Sequence, residues 1–550
     1  MPLTVAVIAG GGFQGQGIIE AIHALPDGRA LVVDSTADAP GELLADRYVV
    51  APLLDAPEFQ DFLLDLVRTE RVSLILPATQ RELRCLADMT ARLSEAGARV
   101  AACPGELLDI LLDKQALYRS LDAAGLPVQA LVELTASAAF PLFGRPRSGW
   151  GGRDVQVLHS LSGLRAVDVE ALARSYAWVS WLPAFEEVSA DFAIDFERHV
   201  SPLTLRRRVR TSGGFAVISE SEQAPQVAVL VGRLAAWLAS RGACGLFNVQ
   251  LLRTSDGALL VSDVNPRHGT SSGHALGEGN NLVAFLLGRD GGASRRPVRT
   301  IRTLEQHALP RFAPDAIKGV VFDLDDTLLD HKQWIVDRMR LAASRLGAGV
   351  DAPGLLEQTY LALEEGEHAR LIDVVTTRLG VPALRDALLQ AYRAAVPQAA
   401  RIFPEVADVL AVLRARGLKL AILTDNPPAS QQAKLDASEG LAQAFDAVVF
   451  SREHGAEKPA IEPFRAVAER LELPPESLLM VGDSVARDAF GAIRAGWLAC
   501  VLVDRPGGRY RAHAGLMASL AADVAARTSI HPDLRVLPPM LRPAEQKGLS

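Results

Sequence analysis

Short apolar runs alternate with stretches of helical periodicity from the start of the chain. Apolar runs at 4–9, 30–34 and 73–77 predict strands, and amphipathic stretches at 17–24 and 59–69 predict helices. Strands that alternate with helices are typical of βαβ units, in which parallel strands are joined by crossover helices. The pattern therefore predicts an α/β fold that opens on a parallel sheet.

The pattern changes at residues 289–316, which break the periodicity and contain several prolines and arginines. This segment predicts a linker between two functional halves. Beyond it, residues 334–399 have apolar positions at helical spacing with almost no strand pattern, which predicts a helical cap inserted after the first strand of the second half. The predicted domains are 1–112 (βαβ), 113–288 (α+β), 317–332 with 401–535 (a second α/β core), 333–400 (the cap) and 536–550 (a tail).

Composition limits the class of protein. A chain of 550 residues is too long for one hydrophobic core, and about 100–200 residues per domain predicts several domains. A net charge of −8 gives no general attraction for nucleic acid or anionic membranes. The four cysteines are scattered without Cys-x-x-Cys spacing, which indicates neither a zinc site nor a disulfide framework. Because the sequence has no long apolar stretch and no basic leader, we expect a cytoplasmic protein. A homodimer is a possible oligomeric state.

Two carboxylates stand at the end of an apolar run in the second half. Asp323 and Asp325 lie two positions apart after residues 320–322, so strand periodicity directs both to the same side of a sheet edge. Such a pair suits a nucleophile and a proton shuttle. An isolated Asp-x-Asp is more typical of a solvated acidic turn, so the pair indicates a catalytic site only if matching residues occur elsewhere in the second half.

Three such elements occur downstream, in order. Thr424 closes the apolar run 418–423, Lys458 stands in Glu-Lys-Pro, and Asp483 and Asp488 lie in Val-Gly-Asp-Ser-Val-Ala-Arg-Asp. Together with the first pair, this set resembles the four motifs of the haloacid dehalogenase (HAD) phosphohydrolase superfamily.

The resemblance implies a Rossmann-like core and specific roles. Asp323 would attack phosphorus, Asp325 would protonate the leaving group and then activate water, and Thr424 and Lys458 would bind the transferring phosphoryl group. The implied Mg²⁺ ligands are Asp323, the main-chain carbonyl of Asp325, and Asp483. The dehalogenase branch lacks an acid two residues after the nucleophile, so Asp325 favours phosphate chemistry.

The first half carries glycines and cations in a definite succession. The glycines of residues 10–17 alone are a weak indication of dinucleotide binding, with Asp34 only loosely placed as the acidic partner. Downstream come Asp113-Lys114, a glycine-rich loop at 145–153 flanked by arginines, Asn248-Val-Gln250 and Asp263-Val-Asn-Pro-Arg267. Over roughly residues 1–288 this succession resembles the ATP-grasp superfamily, particularly its carbamoyl-phosphate-synthase-like and carboxylate–amine ligase branches. The opening βα units then correspond to a pre-ATP-grasp domain, which need not bind NAD.

This second resemblance implies ATP and magnesium as cofactors. The implied ATP-binding residues are Lys114, Arg145, Gly149, Gly151 and Gly152 for the phosphates, Glu187 for the ribose and Leu182 near the adenine. The implied Mg²⁺ ligands are Gln250, Asp263 and Asn265, and Arg267 would steady an acyl-phosphate. Two positions depart from the family, because Asp263 replaces the usual Glu and Ser180 replaces an acid. One carboxylate with two amides supplies little negative charge, so we expect magnesium to arrive mainly on ATP.

Two features of the first half each have two possible interpretations. The glycine loop is also typical of a flexible surface turn, and the basic run 206–210 is either a solvated strand face or part of a catalytic site.

The sequence predicts a bifunctional enzyme: an ATP-dependent carboxylate–amine ligase fused to a Mg²⁺-dependent phosphatase of a related small metabolite. Its partners would be a small carboxylate, an amine and a phosphoester, whose identities the sequence leaves open. The alternatives are a phosphatase regulated by an altered, nucleotide-binding ATP-grasp half, and an ATP-grasp kinase.

Overall fold

The computed structural model divides into two compact units, Met1–Gln306 and His307–Ser550. It describes residues 3–149, 154–165, 167–212, 215–289, 295–303, 305–313, 315–347, 350–505, 507–510, 517–519 and 521–542. No helix among these residues is long and apolar enough to cross a membrane. The predicted domain boundaries inside each unit stay predictions.

The N-terminal unit opens on a five-stranded parallel sheet of order β3-β2-β1-β4-β5. Its strands are β1 (Leu3–Ile8), β2 (Gly28–Asp34), β3 (Arg47–Val50), β4 (Val72–Pro77) and β5 (Arg99–Val100). Its helices are α1 (Phe13–His23), α2 (Phe59–Thr69), α3 (Glu82–Glu95) and α4 (Gly105–Leu111). The predicted βαβ units are thus present, although α1 begins four residues before the predicted helix.

Two antiparallel sheets follow in the same unit. The smaller has the order β7-β6-β8, and the larger has the order β13-β12-β9-β10-β11-β14. The strands are β6 (Leu142–Pro146), β7 (Gln156–Leu158), β8 (Tyr176–Ser180), β9 (Phe185–Ile194), β10 (Thr204–Ser212), β11 (Phe215–Ser221), β12 (Gly245–Thr254), β13 (Leu259–Asn265) and β14 (Arg299–Ile301). The helices are α5 (Lys114–Ala123), α6 (Leu161–Arg165), α7 (Val169–Ser175), α8 (Pro225–Ser240), α9 (Gly273–Gly277) and α10 (Leu282–Leu286).

Part of the predicted linker is sheet. Residues 299–301 form β14, which pairs antiparallel with β11 through Ile218↔Ile301 and Glu220↔Arg299. Because prolines and arginines flank β14, the sequence pattern did not indicate a strand here. β14 lies at the edge of its sheet, where prolines and charged residues are tolerated. The predicted linker 289–316 is therefore wrong over these positions.

The C-terminal unit contains a six-stranded parallel sheet of order β17-β16-β15-β18-β19-β20. Its strands are β15 (Gly319–Phe322), β16 (Lys419–Thr424), β17 (Ala447–Phe450), β18 (Leu478–Gly482), β19 (Ala499–Val503) and β20 (Thr528–His531). Its helices outside the insertion are α15 (Val406–Ala415), α16 (Pro428–Asp436), α17 (Ile461–Leu471), α18 (Phe490–Arg494), α19 (Ala522–Ala526) and α20 (Leu537–Met540). Because α20 buries Leu537 and Met540, the predicted tail at 536–550 is wrong over that helix.

The helical insertion between β15 and β16 has its own core. It consists of α11 (His331–Leu346), α12 (Ala352–Glu364), α13 (Leu371–Arg378) and α14 (Arg385–Ala394). Met339, Ala362, Val375 and Leu388 are buried together in its interior. The predicted fold class is confirmed: a parallel sheet, antiparallel sheets, and a parallel sheet with a helical insertion.

Candidate active sites

In the C-terminal unit, the predicted site residues meet at one edge of the parallel sheet. Asp323 follows β15, Thr424 ends β16 and Asp483 follows β18. β15 pairs in parallel with β16 on one side and with β18 on the other, so the carboxyl ends of the three strands lie together. In open α/β sheets, ligands bind in the crevice outside such strand ends, where the strand order reverses. A small cavity at this edge is lined by Asp323, Asp325, Thr424, Lys458 and Asp483, among others.

Three carboxylates form a buried cluster in this cavity. Carboxylate oxygens of Asp323, Asp483 and Asp488 lie within 4.8 Å of one another. Lys458 Nζ donates to Asp323 Oδ1 at 2.7 Å and to Asp488 Oδ1 at 2.6 Å. Burial, against the opposing charge of Lys458, raises the pKa of Asp323 to about 7. One lysine is thus shared by two of the three acids, Asp323 and Asp488.

A divalent cation would relieve the remaining repulsion. Burial, together with the charges of Asp323 and Asp488, raises the pKa of Asp483 well above its ordinary value. Closely spaced carboxylate oxygens are the donors that Mg²⁺ prefers. The residues present therefore fit the magnesium that the sequence predicted, with Asp488 as a neighbour of the ion site.

Asp325, predicted as the proton shuttle, is held by a second lysine. Lys434 Nζ donates to both carboxylate oxygens of Asp325, at 2.6 and 2.7 Å. Gln431 and Asn426 also donate to Asp325 Oδ2, at 3.1 and 3.2 Å. Although burial alone would raise it, the charges of His331 and Lys434 hold the pKa of Asp325 well below its usual range. The carboxylate is therefore ionised and oriented by several donors.

Sequence analysis missed Lys434 and Gln431. Both lie on α16, three positions apart and hence on one helix face, and Gln431 Nε2 also donates to Thr424 Oγ1 at 2.5 Å. The exposed fraction of each residue is 2% or less. The only signal in the sequence was their position on the face of α16 that packs inward. Glutamine and lysine ordinarily face solvent, so their burial indicates a specific role.

The N-terminal unit has a larger cavity of about 770 Å³. The predicted residues that line it are Lys114, Arg145, Gly149, Leu182, Glu187, Gln250, Asp263, Asn265 and Arg267. Ser180, the position that departs from the family pattern, also lines it. Gly151 and Gly152, predicted to approach the triphosphate, lie outside the described residues. The structure therefore brings together every described residue that was predicted for this site.

Asp263 lies between two cations in this cavity. Lys114 Nζ donates to Asp263 Oδ1 at 2.7 Å, and Arg145 Nη2 donates to Asp263 Oδ2. Arg145 is itself held by Tyr118 Oη at 2.9 Å and by Ser262 Oγ at 3.0 Å. Although burial opposes it, the charges of Arg145 and Lys114 hold the pKa of Asp263 well below its usual range.

The neighbouring polar residues are fixed by the sheet. Gln250 on β12 stands opposite Asp263 on β13. Asn265 Oδ1 accepts from Gln80 Nε2 at 3.1 Å, a partner on the first domain that sequence analysis missed. Arg267 Nη1 donates to the carbonyl of His268 at 3.0 Å. Among the described residues, its buried Nε has no hydrogen-bond partner.

The basic run on β10 resolves into ion pairs. Arg206, which is buried, donates from Nε to Asp191 Oδ2 at 2.7 Å. Arg208 Nη1 lies 3.1 Å from Glu187 Oε1. Arg207, on the outer face, donates to Glu220 at 2.7 Å. Successive side chains along the strand point to opposite faces of the sheet, so Arg206 and Arg208 lie on one face and Arg207 on the other. The basic run is therefore neither wholly a solvated face nor wholly part of a catalytic site.

The glycines after β1 serve close packing in this structure. A Cβ added at Gly15 would lie 2.2 Å from the carbonyl oxygen of Gly10, so only glycine fits there. The N–H of Gly11 donates to Asp34 Oδ2 at 2.9 Å. Asp34, the loosely placed acid of the dinucleotide pattern, is therefore engaged by the backbone of the loop.

Two family models match parts of the chain. Residues 317–496 match the family described as haloacid dehalogenase-like hydrolase. Residues 6–101 match the family described as PylC-like, N-terminal domain.

Individual proteins resemble each unit. A glyceraldehyde 3-phosphate phosphatase from Methanopyrus kandleri is 34% identical over 190 residues, which cover 33% of this chain and 81% of that protein. A phosphoglycolate phosphatase from Escherichia coli is 29% identical over 190 residues, which cover 30% of this chain and 74% of that protein. The structure of N5-carboxyaminoimidazole synthetase from Staphylococcus aureus, complexed with ADP, matches with a TM-score of 0.45 and 16% identity, covering 55% of this chain and 83% of that one.

Proposed function

We propose that the C-terminal unit, which belongs to the haloacid dehalogenase-like hydrolases, is a magnesium-dependent phosphatase of small phosphoesters. The N-terminal unit contains the region, residues 6–101, that matches the PylC-like, N-terminal domain. The observation that carries this proposal is the buried cluster of Asp323, Asp483 and Asp488 around Lys458. The substrates named for the two relatives, glyceraldehyde 3-phosphate and phosphoglycolate, are both small phosphoesters, which supports a substrate of that size.

The site residues divide the reaction into two steps. A carboxylate oxygen of Asp323 attacks phosphorus, the bond from phosphorus to the ester oxygen breaks, Asp325 gives a proton to the leaving oxygen, and an aspartyl-phosphate forms. Water then attacks phosphorus with Asp325 as general base, which releases phosphate and restores Asp323. Lys434 orients Asp325 and holds it ionised in the free site, so Asp325 takes up a proton from solvent as the phosphoester binds, gives it to the leaving oxygen, and is again the carboxylate that the second step requires. Magnesium held by Asp323, the carbonyl of Asp325 and Asp483 would supply charge neutralisation for the dianionic phosphate.

The test is hydrolysis of p-nitrophenyl phosphate with and without Mg²⁺. We expect Asp323→Asn to lower the rate by more than about 10³-fold, because an amide cannot act as the nucleophile. Circular dichroism and ATP binding by the N-terminal unit serve as controls for folding. A folded variant that keeps more than a few per cent of the activity would contradict the mechanism.

For the N-terminal unit we propose an ATP-dependent carboxylate–amine ligase. The supporting observation is the cavity in which Lys114 and Arg145 converge on Asp263, with Arg267 nearby on the same lining. These cations suit a triphosphate and the charge that develops on an acyl-phosphate. The substrate carboxylate would attack the γ-phosphorus and release ADP. The amine would then attack the acyl carbon, and phosphate would leave as the amide forms.

The corresponding test uses the Asp323→Asn variant, so that the phosphatase does not consume phosphorylated species. Panels of small carboxylates and amines are screened for ADP release, and products are examined by mass spectrometry for a new amide. A phosphorylated product without an amide would favour an ATP-grasp kinase instead.

The regulatory alternative has one observation in its favour. Asp263 is the only carboxylate among the predicted metal ligands of this half, and it is engaged by two cations. ATP that binds without turnover, and that changes the phosphatase rate of the wild-type protein, would replace the ligase proposal with a regulatory one.

A further inference from the structure

The cavity of the C-terminal unit contains cations that the proposed mechanism does not use. Beside the acidic cluster, its lining includes His331, Arg487, Arg509 and Tyr510. The reaction accounts for Lys458 at the phosphate. It gives no role to positive charge elsewhere in the same small cavity.

Arg509 is fixed there by the loop that carries the nucleophile. Its backbone N–H donates to Asp326 Oδ2 at 3.1 Å. Asp326 is 5% exposed, and its other oxygen accepts from the backbone N–H of His331 at 3.1 Å. This carboxylate thus ties both the start of α11 and the backbone of Arg509 to the turn after Asp323 and Asp325.

The two arginines of the lining differ in their partners. Arg487 Nη1 donates to Asp425 Oδ2 at 2.9 Å and lies 3.9 Å from Glu457 Oε2, so acids compensate its charge. The guanidinium of Arg509 lies 5.2 Å from the ring centroid of Tyr510. It makes no hydrogen bond or ion pair with another described residue. Arg509, whose side chain is exposed and lines the cavity, therefore has no competing acid among the described residues.

The surroundings of Arg509 are positive. His368, in the short 3-10 turn His368–Arg370 of the insertion, has a buried Nδ1 with no hydrogen-bond partner among the described residues. Burial and the positive charges of Arg509, His331 and Lys332 lower the pKa of His368 to about 4. Lys332 is compensated by Glu364. The insertion thus adds the imidazole of His368, which is uncharged at neutral pH, to the region where Arg509 stands.

We propose that Arg509 is a specificity-determining residue that binds a second anionic group, a carboxylate or a phosphate, on the leaving-group part of the phosphoester. A guanidinium offers a planar pair of N–H donors that matches either anion. With the scissile phosphate at Asp323 and Lys458, the rest of a small substrate must occupy the remaining lining of the same cavity. This inference rests on the proposed phosphatase function and names its substrate class.

The experiment compares kcat/KM for three esters: 2-phosphoglycolate, propane-1,3-diol bisphosphate and ethyl phosphate, whose leaving group is uncharged. We expect the wild-type enzyme to prefer at least one of the two esters with an anionic leaving group over ethyl phosphate. Arg509→Gln should lower the ratio of kcat/KM for that ester to kcat/KM for ethyl phosphate by roughly 10- to 100-fold, the usual effect of losing a charge-assisted hydrogen bond. Arg509→Lys should recover part of the ratio, since it keeps the charge without the planar fork.

Arg385→Gln is the matched control, because Arg385 is an exposed arginine of the insertion that pairs with Asp373 and Asp386 and does not line the cavity. This variant should keep the wild-type ratio. A preference limited to phosphoglycolate identifies a carboxylate, and one limited to the bisphosphate identifies a phosphate. An equal ratio in the wild-type and Arg509→Gln proteins would overturn the inference.

A binding measurement separates this inference from the phosphatase proposal. Calorimetric titration of the Asp323→Asn variant with phosphoglycolate and ethyl phosphate needs no turnover. If the wild-type protein hydrolyses none of the esters, the phosphatase proposal fails. Equal affinity of the Asp323→Asn variant for phosphoglycolate and ethyl phosphate would overturn the role of Arg509. Tighter binding of phosphoglycolate that is lost on adding Arg509→Gln would support it.

Discussion

The two candidate sites of this protein have opposite balances of charge. In the N-terminal unit one carboxylate, Asp263, lies between two cations, Lys114 and Arg145. In the C-terminal unit three carboxylates cluster, and Lys458 pairs with two of them, Asp323 and Asp488. The pKa of Asp263 is accordingly lowered, whereas the pKa of Asp323 is raised to about 7 despite Lys458.

The difference indicates how each site would obtain magnesium. An excess of negative charge attracts a free divalent cation, so the C-terminal cluster can bind the ion by itself. An excess of positive charge attracts a phosphate anion, so we expect the N-terminal site to take the metal together with ATP. On ATP binding, Lys114 and Arg145 would turn toward phosphate oxygens and leave Asp263 available to the ion.

The largest effect expected at the N-terminal site tests whether Asp263 binds the metal ion. Asp263→Asn should lower carboxylate-dependent ADP formation by roughly 10²–10³-fold, because an all-amide site cannot hold magnesium against the triphosphate. Arg267→Ala should cause a loss of similar size while ATP still binds, as judged by calorimetry. Full activity of Asp263→Asn would mean that this carboxylate only holds Lys114 and Arg145 in place.

A second test concerns the other lysine–aspartate pair of the C-terminal unit. Lys434→Met should lower kcat for p-nitrophenyl phosphate by about 10- to 100-fold through misplacement of Asp325. KM should change little, because Lys434 faces Asp325 rather than the phosphate position. Lys434→Arg keeps a cation and should recover part of kcat, and failure of that rescue together with a lowered melting temperature would indicate a purely structural role.

The raised pKa of Asp323 predicts a pH dependence of metal binding. Below about pH 7 the metal-free site holds a proton on Asp323, which Mg²⁺ must displace. Affinity for Mg²⁺ without nucleotide should therefore rise about tenfold from pH 6 to pH 8, for one displaced proton. Titration calorimetry at the two pH values measures the affinity for Mg²⁺. An affinity that falls as pH rises would contradict the raised pKa of Asp323.

The smallest expected effect is a change in melting temperature, which allows the two sites to be compared directly. Mg²⁺ alone should raise the melting temperature of the wild-type protein by a few degrees, since a ligand that binds only the folded state stabilises it. Asp483→Asn should abolish this shift, and Asp263→Asn should keep it. Loss of the shift in Asp263→Asn instead would show that the N-terminal site binds the free ion. That result would contradict the difference in metal binding proposed for the two sites.

The sequence by itself determined the architecture and the positions of most of the proposed site residues. Alternating strands and helices predicted the parallel sheets, the haloacid dehalogenase-like family is confirmed over residues 317–496, and residues 6–101 match the PylC-like, N-terminal domain. These features are local, because an Asp directly after an apolar strand stands at a sheet edge whatever the rest of the fold does. The roles assigned to the individual residues stay predictions.

Only the tertiary structure decided which charges meet. Lys434 lies 109 positions from Asp325, and Lys114 lies 149 positions from Asp263, so no spacing in the sequence connects either pair. Each contact depends on the order of strands in a sheet and on the rotation of a helix against it. The protonation of Asp323 and Asp325, only two residues apart, was also decided there, because burial and the nearest lysine set the pKa of each carboxyl group.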